Sequence, residues 1–203
     1  MRNDKPIYDL IVVGGSNGGM DAFMTILSGL SHDFQVPVVF VLHQQRGVQT
    51  LLPDILARHT HLAVVEPVDK EEIAKGHIYV APPDYHLLIE PGGTFGYSYS
   101  EPINFSRPSI DMLFETAAEA YDNRVVGVLL TGANQDGAKG LAAIKNRGGL
   151  AVVQNPETAR STEMPQAGID FGCNEHIINL DKIASYLNSI NIDYLSKYTR
   201  SNG

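Results

Sequence analysis

A serine, a histidine and an aspartate each stand where an apolar run of the sequence gives way to glycine or polar residues. Ser16 lies in Gly14-Gly15-Ser16-Asn17-Gly18-Gly19, directly after IVV. His43 closes the run PVVFVL, and Asp136 lies in Thr131-Gly132-Ala133-Asn134-Gln135-Asp136-Gly137, directly after VVGVLL. A G-x-S-x-G sequence puts its serine on a sharp strand-to-helix turn, where Oγ is presented to solvent and the next amide N–H, that of Asn17, points to where an oxyanion would develop. An imidazole in reach would act as general base. A carboxylate accepting the imidazole Nδ1–H would fix its tautomer and stabilise the imidazolium. Together the three residue types spell acyl transfer through an activated serine.

Each residue also has a plainer use. The glycine loop fits a phosphate cradle, although alignment as G-x-G-x-x-G puts Ser16 where the second glycine belongs, and the second apolar run ends in His43 rather than in an acid for a ribose. His43 could simply cap the turn after its strand. Asp136 precedes a helical pattern and would make a favourable N-cap for it. Asp111, in the first turn of another helical pattern, complements that helix's macrodipole and ranks second to Asp136 as the orienting carboxylate.

The elements that must position these side chains alternate. Short continuous apolar runs at Tyr8 to Val13, Pro37 to Leu42, Leu62 to Glu66, Val125 to Leu130 and Leu150 to Gln154 read as strands buried on both faces. Helical spacing recurs at Gly18 to Leu30, Leu51 to His59, Ser109 to Tyr121 and Gly137 to Asn146. Strand, helix, strand, helix predicts an α/β fold, a doubly wound and mostly parallel sheet flanked by helices. Ligands then bind outside the carboxyl ends of the strands, where Ser16, His43 and Asp136 all fall. His77 to Ala81, His86 to Glu90 and Phe95 to Ser100, separated by PPDY and by a Gly-Gly pair, read as antiparallel hairpin additions. A single domain is expected over residues 1–203, closed by a helical tail from about 180, with a polar end, Lys197 to Gly203, that frays.

Composition narrows the function. Of 203 residues 43% are apolar and 19% charged, which supports one ordinary core and excludes a disordered or collagenous chain. A net charge of −8 without a Lys/Arg cluster argues against nucleic acid as a partner. The single cysteine, Cys173, has no partner for a disulfide or a thiolate metal cage, and no segment reads as a signal or membrane span, so a soluble cytoplasmic protein is expected. His59 and His61 form an H-x-H pair without a third ligand and read as surface residues. Neither a metal nor a cofactor is expected.

With these residues in place, the chain resembles the catalytic domain of chemotaxis protein-glutamate methylesterases of the CheB type. The resemblance runs from about Tyr8 to Ile169 and is carried by IVVGGSNGG, VLH, VAPPDYHLLIEPGG, RPSIDMLF, VVGVLLTGANQDGAKGLAAIKNRGG and MPQAGI, in the family's order. It implies a Rossmann-like methylesterase fold and hydrolysis of glutamate γ-methyl esters, with deamidation of particular glutamines, on the cytoplasmic helices of chemoreceptors. By position Ser16 matches the nucleophile, His43 the base, Asp136 the orienting carboxylate, and the backbone N–H groups near Asn17 and Ala133 the oxyanion region. Asn17 stands where the family usually has Thr, Ala133-Asn134-Gln135-Asp136 replaces a Met-Gly-x-Asp pattern, and Gln44 to Gly47 replaces a Pro-rich stretch. Arg46, Arg107 and Arg160 are candidates for pairing with acidic side chains of a receptor helix. The family's N-terminal receiver domain is not expected within this sequence, which leaves three alternatives: an isolated domain of a longer protein, a separate receiver protein as regulator, or a constitutively open enzyme. The competing expectation is a non-catalytic module that binds a nucleotide or a receptor through the same fold.

Overall fold

The computed structural model describes residues 7–43, 51–104 and 106–200. In chain order the elements are β1 (Leu10–Gly15), α1 (Gly19–Gly29), β2 (Val38–Leu42), α2 (Leu52–Ala57), β3 (Ala63–Val65), β4 (His77–Val80), β5 (His86–Glu90), β6 (Thr94–Ser98), α3 (Ile110–Tyr121), β7 (Val125–Leu129), α4 (Ala138–Asn146), β8 (Leu150–Gln154), α5 (Glu163–Asp170), β9 (Ile177–Ile178) and α6 (Leu180–Arg200). Seven strands form one sheet in the order β3-β4-β2-β1-β7-β8-β9, with every neighbouring pair parallel. β5 and β6 form a separate antiparallel pair.

Successive strand side chains point to opposite faces. Leu10 and Val12 of β1 therefore enter the core shared with α3, α4 and the β5–β6 pair, whereas Ile11 and Val13 enter the core shared with α1, α2 and α6. All four are fully buried. Burying a side chain of this kind contributes about 1.5–3 kcal/mol, which explains why the strands are continuous apolar runs rather than alternating ones.

The chain leaves β1 towards β2 and β4 and later crosses back to β7 on its other side. The carboxyl ends of β2, β1 and β7 thus lie side by side at the point where the strand order reverses, the usual place for a site in an open α/β sheet.

Three expectations change. His77 to Ala81 does not pair with His86 to Glu90: it supplies β4, a parallel strand between β3 and β2, and only the following two runs make a hairpin. Turn residues beside a short apolar run look alike whether the chain folds back or leaves the sheet. α6 continues through Arg200, into the stretch from Lys197 at which the sequence suggested fraying, with Ile183, Leu187 and Ile190 buried against α1 and the sheet. α5 and β9 had no counterpart in the sequence reading.

The closest helix crossing is that of α3 over α4. A Cβ on Gly140 would stand 2.6 Å from Phe114 Cβ and 2.9 Å from the Asp111 carbonyl oxygen. Gly140→Ala is expected to lower stability by about 1–3 kcal/mol, as overpacking of a tight core does. Chemical denaturation measures this, and a parental midpoint would show that the two helices separate without cost.

Candidate active site

Ser16 and His43 are neighbours by register. Gly15 is paired with Leu42 across β1 and β2, and the His43 N–H donates to the Gly15 carbonyl at 3.2 Å, so the residues after this pair leave the sheet together. The Ser16 N–H donates to the Thr131 carbonyl at 2.9 Å, which ties the Ser16 turn to the loop after β7. The turn closes at Gly18, whose φ of +81° favours glycine, and the Gly19 N–H returns to the Ser16 carbonyl at 2.7 Å. Asn17 donates from Nδ2 to Ser161 Oγ at 2.7 Å and accepts from the Thr131 hydroxyl at its carbonyl. Among the described residues, neither the Asn17 nor the Ala133 amide N–H has an acceptor, and no hydrogen bond joins the Ser16 hydroxyl to His43.

His43 does meet Asp136, at 2.8 Å, but through Nε2 rather than the Nδ1 that the sequence reading chose. β2 and β7 flank β1, and the loop after β7 carries the Asp136 carboxylate to the imidazole, where it meets Nε2, the ring nitrogen farther from the backbone. Because an ionised carboxylate only accepts, Nε2 carries the proton in this contact, which leaves the Nδ1 lone pair on the other side of the ring. There Ser106 Oγ lies 3.2 Å away.

Asp136 is fully buried and holds more than the imidazole. It accepts from the Ile110 N–H at 2.7 Å, the Asp111 N–H at 3.2 Å, the Ser109 hydroxyl at 2.9 Å and Asn104 Nδ2 at 3.4 Å. Its carboxylate therefore sits at the N-terminus of α3, not of the helix that follows it. The cap expected of Asp136 on α4 is supplied instead by Asp111, whose Oδ1 accepts the N–H groups of Gly137 at 2.9 Å and Gly140 at 2.8 Å. Gly137 itself offers no side chain to that cap. Each aspartate caps the helix that begins beside the other one.

Asn104, which the sequence reading missed along with Ser106 and Ser109, spans the two carboxylates, with Nδ2 also 3.3 Å from Asp111 Oδ2. Burial opposes ionisation of Asp136, but the hydrogen bonds from His43 and from the Ile110 and Asp111 N–H groups, together with the charge of His43, hold it below the usual aspartate value. For Asp111 burial prevails, joined by repulsion from Asp136 and Glu115, and its carboxyl is pushed up to about 6 against the hydrogen bonds from Gly140 and Gly137.

The remaining expected residues are dispersed. Arg107 directs Nη1 to the carbonyls of Tyr99 and Ser100, both at 3.2 Å. Arg160 lies over the turn at Gly18, its Cβ 2.7 Å from where a Gly18 side chain would begin, and its guanidinium is exposed, 3.8 Å from Asp21. Arg46 falls outside the described residues. Asn134, at the glycine of the family's Met-Gly-x-Asp pattern, has no positive φ and accepts the Asp136 N–H at 3.1 Å through Oδ1. The His61 ring stacks on His32 with centroids 3.8 Å apart, and among the described residues no group of three or more His, Cys, Asp or Glu could hold a metal ion. None of the described helices is long and apolar enough to cross a membrane.

A hydroxyl at a strand end, an imidazole beside it and a buried carboxylate behind the imidazole make a site of the hydrolase type. The family model for CheB methylesterase matches residues 11–187, and the chain belongs to that family. It is 49% identical over 177 residues to a Leptospira interrogans protein provisionally named protein-glutamate methylesterase/protein-glutamine glutaminase, covering 87% of this chain and 92% of that one. A Carboxydothermus hydrogenoformans protein-glutamate methylesterase/protein-glutamine glutaminase is 39% identical over 86% of this chain, which spans 53% of that relative's length. The crystal structure of the Thermotoga maritima CheB methylesterase catalytic domain superposes with a TM-score of 0.85 at 32% identity, over 90% of this chain and 98% of that one.

The carboxylate pair has a consequence for stability. A carboxyl whose value rises from 3.8 to about 6 on folding disfavours the folded state progressively as pH climbs through that interval, and costs nothing below it. Asp111→Asn keeps an oxygen for the Gly137 and Gly140 N–H groups but removes the charge. Its thermal midpoint, relative to the parent, is expected to be higher at pH 8 than at pH 4; a gap of the same size at both values would refute the assignment.

Proposed function

We propose that this chain is a serine hydrolase that cleaves glutamate γ-methyl esters on chemoreceptor cytoplasmic helices, and the corresponding glutamine side-chain amides, with Ser16, His43 and Asp136 as its triad. The observation that carries the reading is the 2.8 Å contact between His43 and the buried Asp136 carboxylate at the strand ends where Ser16 also emerges. In this reading Asp136 keeps the proton on Nε2, so Nδ1 is the basic nitrogen. Ser16 Oγ attacks the ester carbonyl carbon as its proton passes to Nδ1. The Asn17 and Ala133 amides, which lack acceptors among the described residues, receive the oxyanion. The tetrahedral intermediate then collapses, and methanol leaves with the proton from Nδ1. Water repeats the sequence on the acyl-enzyme and frees Ser16; from an amide the leaving group is ammonia.

The triad should behave as a unit. Ser16→Ala and His43→Ala are each expected to cut methanol release from a methylated receptor cytoplasmic fragment by about 10³-fold or more, and Asp136→Asn by about 10²- to 10⁴-fold. A fluorophosphonate should label Ser16 in the parent and far more slowly in His43→Ala. Release at the parental rate from Ser16→Ala would sink the mechanism, and an unlabelled serine would favour a phosphate-cradling loop instead.

Arg160 is the described arginine best placed to meet an acidic receptor helix, since it overhangs the nucleophile turn with its guanidinium exposed. Arg160→Glu is expected to raise KM for the methylated receptor fragment several-fold with kcat unchanged. An unaltered KM would remove this contact.

A further inference from the structure

The basic nitrogen of His43 is already occupied. Ser106 Oγ lies 3.2 Å from Nδ1, on the side of the ring opposite Asp136, and because Nδ1 carries the lone pair the hydroxyl is the donor. In the triad reading Ser16 must use the same lone pair, which in the structure lies against the Ser106 hydroxyl. The same hydroxyl has a second acceptor, the Asn104 carbonyl oxygen at 3.5 Å. A serine hydroxyl rotates at little cost and both donates and accepts, so it can donate to a neutral imidazole, turn to the carbonyl, and then accept from an imidazolium.

Ser106 does not sit there by chance of a loose loop. Ile103 and Ser106 exchange both backbone hydrogen bonds, at 3.1 and 2.8 Å, and Asn104 between them has a φ of +48° and is tied through Nδ2 to both Asp111 and Asp136. Further along, the Ser109 N–H donates to Nδ1 of the fully buried His86, whose Nε2 lies 3.2 Å from the Glu101 carbonyl. The segment leading into α3 is thus laid across the base and its carboxylate and pinned at both ends.

We propose that Ser106 is a positioning residue for the base. Asp136 alone would hold the imidazole at one point, about which the ring could pivot; Ser106 supplies the second point, at Nδ1, that fixes the ring plane. When Ser16 gives its proton to Nδ1, Ser106 keeps its own proton, swings it to the Asn104 carbonyl and offers its lone pair to the new N–H. No proton is gained or lost at Ser106. This inference rests on the triad reading above.

The test uses fluorophosphonate labelling of the whole protein, in which the Ser16 Oγ–P bond forms, fluoride leaves and the Ser16 proton passes to His43. Ser106→Ala is expected to lower kinact about tenfold with KI unchanged, the effect of losing one neutral hydrogen bond in the covalent step alone. Ser106→Thr, which keeps the hydroxyl, should recover most of that loss. Parental or faster labelling of Ser106→Ala would overturn the proposal, as would a Ser106→Thr protein as slow as Ser106→Ala, which would show that packing rather than the hydroxyl matters. Should the parent itself leave Ser16 unlabelled, the triad reading falls and takes this proposal with it.

Discussion

Two buried aspartates exchange helix caps, and the site is built on that exchange. Asp136 precedes α4 in sequence yet accepts the first N–H groups of α3; Asp111 belongs to α3 yet accepts those at the start of α4. A carboxylate is accommodated in a core only when hydrogen-bond donors and dipoles compensate its lost hydration. Two helix N-termini converging beside the sheet edge supply both. The exchange also cross-links the segments: the loop after β7 cannot shift relative to α3 without exposing one carboxylate or orphaning backbone N–H groups of the other.

The same arrangement sorts the two carboxyls electrostatically. They lie close enough to share Asn104 and to repel, and the His43 contact decides which of them stays ionised. Asp136, with the imidazole and two backbone N–H groups, is held below the ordinary range, while Asp111, which lacks a cationic partner there, is driven up to about 6. Environment, not residue type, divides their roles, as it does wherever paired acids act differently in one site. The carboxylate committed to His43 is then charged throughout the pH range in which an imidazole can serve as a base.

Much of this was legible along the chain because the chemistry follows strand ends. Continuous apolar runs mark strands buried on both faces, and the residue after each run must lie at the carboxyl edge, so the sequence alone places Ser16 and His43 together. The hairpin region was less legible: the runs at His77, His86 and Phe95 look alike, but only long-range pairing decides that the first joins β2 while the other two pair with each other. Which nitrogen of His43 meets Asp136 has no local signature, because the contact joins residues 93 positions apart. Asn104 and Ser106 lie between the hairpin and α3, where the sequence shows neither strand nor helix periodicity.

Apolar periodicity, the glycine turn around Ser16 and the ordered motifs by themselves determined the fold class, the family and the three residues to examine. All of these depend on local sterics or on burial of contiguous segments. Which nitrogen of His43 faces the carboxylate, which helix each aspartate caps, and which hydroxyl occupies the remaining lone pair were decided only by the tertiary structure. Those contacts join residues from 25 to 93 positions apart. Their geometry depends on strand order and helix approach, which no local pattern encodes.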